Sequence, residues 1–307
     1  MSSSVLAPQV NTATVQVTPL GPVLGAEISG VDLRDRLTSA EVAALRAALL
    51  AHKVLFFRDQ DISHDDHVRF GRYFGDLEGH PVTAHVPGHP EILSINAHEG
   101  LKLSEQNLAF ERAANKWHAD VTFREKPSFG GVLRARQLPP SGGDTLFADT
   151  AAIYRDLPDA IKTQIETLDA EHDILHSFGV RVSEEKRAQL RRELPAQIHP
   201  VVRTHPETGE RHLFVNHGFT TRIVGIDESE SRRLLSYLID RVKIPEYQVR
   251  FRWSPNAIAF WDNRATQHYA VLDYWPQARI VERVTITGNK PFRGPLAALS
   301  QRCRAEQ

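Results

Sequence analysis

Hydrophobic positions along this chain fall into three patterns. Lys53–Arg58 (KVLFFR) and Ala257–Trp261 (AIAFW) are apolar runs with the length of buried strands. Residues 279–286 alternate instead, with Arg279, Val281, Arg283 and Thr285 on one face and Ile280, Glu282, Val284 and Ile286 on the other. The third pattern is helical. Val42, Leu45, Leu49 and Leu50 recur behind Thr38, an N-cap with Glu41 three residues on. Ser63 starts a second helix carrying Val68, Phe70 and Phe74 and ending at Gly75.

The same reading gives short strands between Thr14 and Leu33, at Ile92–Ile95, Ser128–Gln137, Asp144–Phe147 and Gln248–Trp253. His199–Thr204 and His212–Val215 form a strand pair around the turn-forming run Pro206–Glu210. Helices are expected at Ala151–Ala170, at the polar Ser183–Glu193 and at Asp227–Lys243. A polar segment carrying His268 and a turn at Asp273–Gln277 join AIAFW to the alternating strand. Strands in both halves with helices between them argue one domain, over about residues 14–295. Residues 1–13 are expected to be a disordered start, and 296–307 a tail. The long stretch of about 83–116, weakly periodic from about Ala97 on, runs directly into His118 and is expected to form a lid.

Composition narrows the partners. With 307 residues, a net charge of −1 and a pI near 7, nothing favours nucleic acid or an anionic membrane. Local basic residues are better explained by small anions. A single cysteine, Cys303, excludes an internal disulfide framework and fits a reducing cytoplasm. The opening MSSSVLAPQVNTATV lacks the basic and apolar regions of a signal peptide, and no apolar run reaches membrane-spanning length. A cytoplasmic protein is expected.

Two arginines on one strand face in an apolar frame are costly unless an anion meets them. Taken alone, Arg279 and Arg283 read as surface residues of a half-exposed strand. Trp117–Phe123 (WHADVTF) changes that reading, because His118 and Asp120 point to the same side of an extended segment. A lone His-x-Asp mostly sits on a solvated face. Joined to His268 it makes a candidate facial triad that leaves about three coordination positions open and suits non-haem Fe(II). Zinc could use the same residues, but hydrolytic zinc needs a nearby base and gives the paired arginines no role. A mere metal- or anion-binding protein has no need of the open positions.

From Gly25-Ala26-Glu27-Ile28 through Lys290-Pro291-Phe292 the chain resembles the taurine dioxygenase family of Fe(II)- and 2-oxoglutarate-dependent oxygenases. The motifs are WHADVTF, Gly142-Gly143-Asp144-Thr145, the run Thr204–Gly209, Phe214-Val215-Asn216 with Gly218–Arg222, and WDNRATQHYA. The resemblance implies a mainly β fold with helical insertions, a double-stranded β-helix or jelly-roll barrel. It implies iron on His118, Asp120 and His268, and O2 as co-substrate. Arg279 would grip the distal carboxylate of 2-oxoglutarate, which Thr145 would share. Arg283 and His80 would bind a substrate sulfonate, with Val121, Phe178 and Phe219 as apolar walls. Trp117 and Trp261 would pack, Arg264 would be structural, and relatives suggest a dimer or tetramer.

The implied reaction is hydroxylation of the carbon beside a sulfonate, of taurine or a related alkylsulfonate. Sulfite and an aldehyde would be released, with succinate and CO2. Two departures bear on the substrate's tail: Thr83 stands where the taurine enzymes carry tyrosine, and Ala113–Lys116 reproduces no asparagine contact. An alkylsulfatase-type reaction on sulfate esters, and hydroxylation of a small carboxylate, are the alternatives.

Overall fold

In a computed structural model of the chain, the described residues are 15–79, 85–96, 115–179 and 182–295. The expected disordered start, the tail, His80, and the 83–84 and 97–114 parts of the expected lid lie outside them. The largest sheet runs in the order Gln16–Pro19, Ala26–Ser29, Val54–Phe57, Ile258–Asp262, Gly130–Gln137, Ile280–Ile286, His89–Asn96 and His85–Val86. Leu77–Glu78 also pairs with Ile280–Ile286. Among the described residues, only Ala26–Ser29 and Val54–Phe57 pair in parallel within this sheet. A smaller sheet, in the order Gln248–Phe251, Thr145–Asp149, Thr266–Ala270, is antiparallel throughout.

The apolar runs lie mid-sheet because both of their faces are covered. Leu55 and Phe57, with Ile258 and Phe260, join the core beneath the helices Ser39–His52 and His64–Arg72. Val54, Phe56, Ala259 and Trp261 point the other way and meet Phe147 and Phe251 from the smaller sheet. Phe56 stacks on Phe251 at 4.0 Å between ring centroids and meets Phe147 edge-on at 5.8 Å. This second core fills the interior of the jelly roll, and the alternating strand follows the same rule. Val281 belongs to the barrel interior and Val284 and Ile286 to the helical side, where Glu282 is held by His64.

Both early helices open with capping boxes, Thr38 with Glu41 and Ser63 with Asp66. The helix expected over 151–170 is two, Thr150–Arg155 and Asp159–Ile165. Pro158 has no amide hydrogen with which to continue the first and sits at the N-cap of the second. Asp169–His172 is a strand, because Gln197–Pro200 and Thr220–Val224 pair with its two edges. These insertions, with the helix Glu228–Asp240, pack on a third core around Ile153, Ile165, Leu234 and Leu238. Within the stretch expected as a lid, 85–96 is a hairpin of the main sheet, because Ile92 and Leu93 are buried beside the alternating strand. Among the described residues no helix is long and apolar enough to cross a membrane.

Candidate active site

His118 and His268 come from opposite halves of the chain and are joined by main-chain hydrogen bonds. The His268 N–H donates to the His118 carbonyl at 2.8 Å, and the His118 N–H returns a bond at 3.1 Å. Their rings stand 4.3 Å apart. Asp120 lies 3.8 Å from His118 Nε2 through Oδ1 and 3.9 Å from His268 Nε2 through Oδ2. One ligand atom from each of the three residues lies within 4.8 Å of the others, so a single ion can be shared. Close packing behind His118 requires Gly218, since a Cβ there would stand 2.8 Å from the histidine's own.

Protonation suits a metal. His118 Nδ1 donates to the Lys116 carbonyl at 2.8 Å, a bond that fixes the ring with Nε2 toward the other two ligands. Burial pushes His268 down to about 3, aided by His118 and opposed by Asp120, so its imidazole is neutral near pH 7. Burial would raise the Asp120 carboxyl, but the Arg283 guanidinium and the two imidazoles hold it well below the usual carboxylate range. Asp120 is therefore already a carboxylate and His268 a neutral imidazole, the forms a divalent cation needs.

Arg279 is 6% exposed, and its Nε and Nη2 have no hydrogen-bond partner. Trp253 and Tyr274 lie 5.8 and 6.0 Å from its guanidinium, and no salt bridge joins it to a described acid. A buried guanidinium joined to no described acid is the kind of group that a small carboxylate fits. Gly143, at φ +73°, permits the approach, as a Cβ there would lie 2.9 Å from Arg279 Cδ. The Thr145 hydroxyl, 2% exposed, accepts from Trp253 Nε1 at 3.0 Å, which leaves its own hydrogen free to donate.

Arg283 is also buried, and its Nη1 donates to Asp120 Oδ1 at 2.6 Å, while its Nε is unpartnered. Val121, Phe123 and Phe219 share one apolar cluster, against which Phe178 packs. Phe219 stands edge-on to His118 at 6.1 Å and stacks with Phe178 at 6.4 Å. Val121 adopts φ +47°, an unusual conformation for a β-branched residue, directly after Asp120.

The structure thus gathers His118, Asp120, His268, Arg283, Val121, Phe178 and Phe219 in one region, with Arg279 and Thr145 meeting at Trp253 beside it. Arg264 binds Asp262 and Glu207, a structural arrangement. Residue-by-residue reading of the sequence passed over Trp253, which supports Thr145. It also passed over Asn263, whose side chain binds the main chain of Asp120. Asn263 sits inside the quoted WDNRATQHYA motif, which was the available signal.

A jelly roll that brings two histidines and a carboxylate together, with a buried guanidinium joined to no described acid nearby, points to the 2-oxoglutarate-dependent dioxygenases as the class. Comparison with known proteins carries the assignment further. Residues 16–285 match the taurine catabolism dioxygenase TauD, TfdA family, and the chain belongs to it. An alpha-ketoglutarate-dependent sulfate ester dioxygenase from Pseudomonas putida is 38% identical over 299 residues, 95% of each chain. A taurine dioxygenase structure from Burkholderia xenovorans is 38% identical with a TM-score of 0.77, covering 91% of each chain. The structure of AAD-2 in complex with Mn(II) and N-oxalylglycine is 30% identical, also at a TM-score of 0.77, over 91% of this chain and 98% of that one. The protein is an Fe(II)-dependent dioxygenase that uses 2-oxoglutarate and O2.

Proposed function

We propose that the enzyme hydroxylates the carbon next to a sulfonate, taurine or a related alkylsulfonate, with His118, Asp120 and His268 as its iron ligands. One atom of O2 enters the carbon and the other enters succinate as 2-oxoglutarate loses CO2. The 1-hydroxy sulfonate then breaks its C–S bond, giving an aldehyde and sulfite. Iron with 2-oxoglutarate, when bound, supplies the activation of O2 and the oxidising power for a C–H bond. Arg279 and the Thr145 hydroxyl take the distal carboxylate of the co-substrate and fix its orientation. Arg283 holds the sulfonate, and Val121, Phe178 and Phe219 exclude water around the reacting carbon. The observation that carries this reading is the pair of buried guanidiniums, one without an anion and one resting on the ligand carboxylate.

A second reading, a sulfate ester as substrate, has specific support in the 38% identity to the sulfate ester dioxygenase. Both substrates present the same three oxygens to Arg283 and a carbon to the metal. The test is a panel of alkylsulfonates, alkyl sulfate esters and carboxylates, assayed for 2-oxoglutarate consumption and for the released anion. Sulfite from sulfonates supports the first reading and sulfate from esters the second. Turnover of carboxylates alone rejects both.

A further inference from the structure

We propose that Asn263 is a positioning residue for the metal site, setting the direction of the Asp120 carboxylate by clamping its main chain. The inference rests on the reading of Asp120 as a ligand. Asn263 is 2% exposed and directly follows the strand Ile258–Asp262. Its Oδ1 accepts from the Asp120 N–H at 2.7 Å, and its Nδ2 donates to the Asp120 carbonyl at 3.0 Å. The remaining capacity of Nδ2 is directed at Ser128, 3.0 Å from Oγ and 3.3 Å from the carbonyl oxygen. The Asn263 N–H is itself tied to the Phe129 carbonyl at 2.9 Å, so the clamp stands on the main sheet.

The pattern has a counterpart two residues away. His118 exchanges two hydrogen bonds with the main chain of His268, and Asp120 receives the same pair from one side chain five residues earlier in that segment. Both members of the His-x-Asp pair are thereby registered to the segment that supplies the third ligand. The neighbours of Asn263 are engaged elsewhere, since Asp262 and Arg264 bind each other, with His205 and Glu207 alongside. Asn263 alone among these three reaches the ligand.

A local cost explains why a clamp is needed. Val121, held at φ +47°, sits in a region that is strained for a non-glycine residue. Released from Asn263, the peptide groups flanking Asp120 have a downhill route to ordinary dihedrals, and the carboxylate turns away from the imidazoles. Removing the amide also leaves a buried N–H and C=O unsatisfied.

Anaerobic Co(II) titration of the full chain without 2-oxoglutarate, followed by the metal's visible absorption, tests this directly. Asn263→Ala is expected to weaken Co(II) binding by about 10–100-fold, the range seen when a group supporting a metal ligand is lost. Ser128→Ala removes an Asn263 contact and spares the clamp, and its affinity should stay within about twofold of wild type. Asn263→Asp keeps the acceptor but sets a carboxylate oxygen against the Asp120 and Ser128 carbonyls, so it should weaken Co(II) binding at least as much as alanine, and it decides the matter if the alanine variant does not fold. A folded Asn263 variant that binds Co(II) like wild type overturns the proposal, as does an equal loss in Ser128→Ala. Asp120→Ala tests the underlying reading separately, because undiminished Co(II) binding there means that Asp120 is not a ligand at all.

Discussion

Arg283 Nη1 stands 2.6 Å from Asp120 Oδ1, so the guanidinium assigned to the substrate anion also rests on a metal-site carboxylate. Arg279, four residues earlier, touches neither. The two arginines should therefore separate in their effects. Arg283→Ala strips a buried carboxylate of its partner and removes the anion contact, at a cost of about 3–5 kcal/mol. Its kcat/KM for the sulfur substrate should fall at least about 10²-fold, while the KM for 2-oxoglutarate changes far less. Arg279→Ala should do the reverse, raising the 2-oxoglutarate KM. Steady-state kinetics with each substrate varied in turn decides it, and equal effects of both changes on both ligands would count against the division of roles.

Arg279 also makes a prediction about stability. A buried guanidinium without an ion pair carries an uncompensated desolvation cost, so the apolar, flexible Arg279→Met should not destabilise the ligand-free protein and should raise its Tm. Added 2-oxoglutarate should stabilise the wild type, by about 2.7 kcal/mol at a hundred times its Kd, and leave the variant nearly unmoved. Thermal melts with and without the co-substrate and a divalent metal measure both effects. A ligand-free variant less stable than wild type by more than about 1 kcal/mol would contradict the account.

Thr145→Val keeps the branched shape and deletes the hydroxyl. Trp253 Nε1 loses its acceptor, and under the proposed role of Thr145 the co-substrate carboxylate loses a donor. Net hydrogen bonds of this kind are worth about 0.5–1.5 kcal/mol, so the KM for 2-oxoglutarate should rise about 2–12-fold with kcat little changed. Tryptophan emission should shift as well, reporting the freed indole. An unchanged KM would remove Thr145 from the site.

Much of this site was legible in the sequence because its chemistry needs rare combinations. A His-x-Asp in an extended segment, a distant histidine and two arginines on one alternating strand have few uses in common. The buried runs KVLFFR and AIAFW were equally plain, since strands covered on both faces cannot carry polar residues cheaply. The strand Thr266–Ala270 was hidden for the opposite reason. The buried Thr266 hydroxyl and Gln267 Nε2 donate to the carbonyls of Asp262 and Val215, pairings that no periodicity reveals. Asn263 was invisible as a clamp because its partner is main chain 143 residues away. The split helix at Pro158 was readable from the proline, but the strand at Asp169–His172 depends on neighbours drawn from two later segments.

Four histidines away from the metal set the acid limit of the fold. Burial pushes His67 down to about 3 and His199 down to about 4, and it holds His172 and His212 well below their ordinary 6.5. Hydrogen bonds donated by the rings to the Val132 and Arg124 carbonyls oppose the shift at His67 and His199 without reversing it. Each ring is neutral in the folded chain and free to take a proton once unfolded. Between about pH 6.5 and pH 4 the unfolded state therefore binds more protons than the folded one, and stability falls as pH falls. Each histidine contributes up to about 1.4 kcal/mol per pH unit across its window. The depressed carboxyl of Asp262 acts in the same direction but only below its ordinary 3.8. Urea unfolding midpoints measured from pH 8 down to pH 5 should be level at first and then drop steeply below about 6.5. His67→Gln keeps an N–H for the Val132 carbonyl, 2.9 Å away, and removes the titration, so its curve should fall less steeply over that window. A variant as acid-sensitive as wild type would mean that His67 titrates alike in both states.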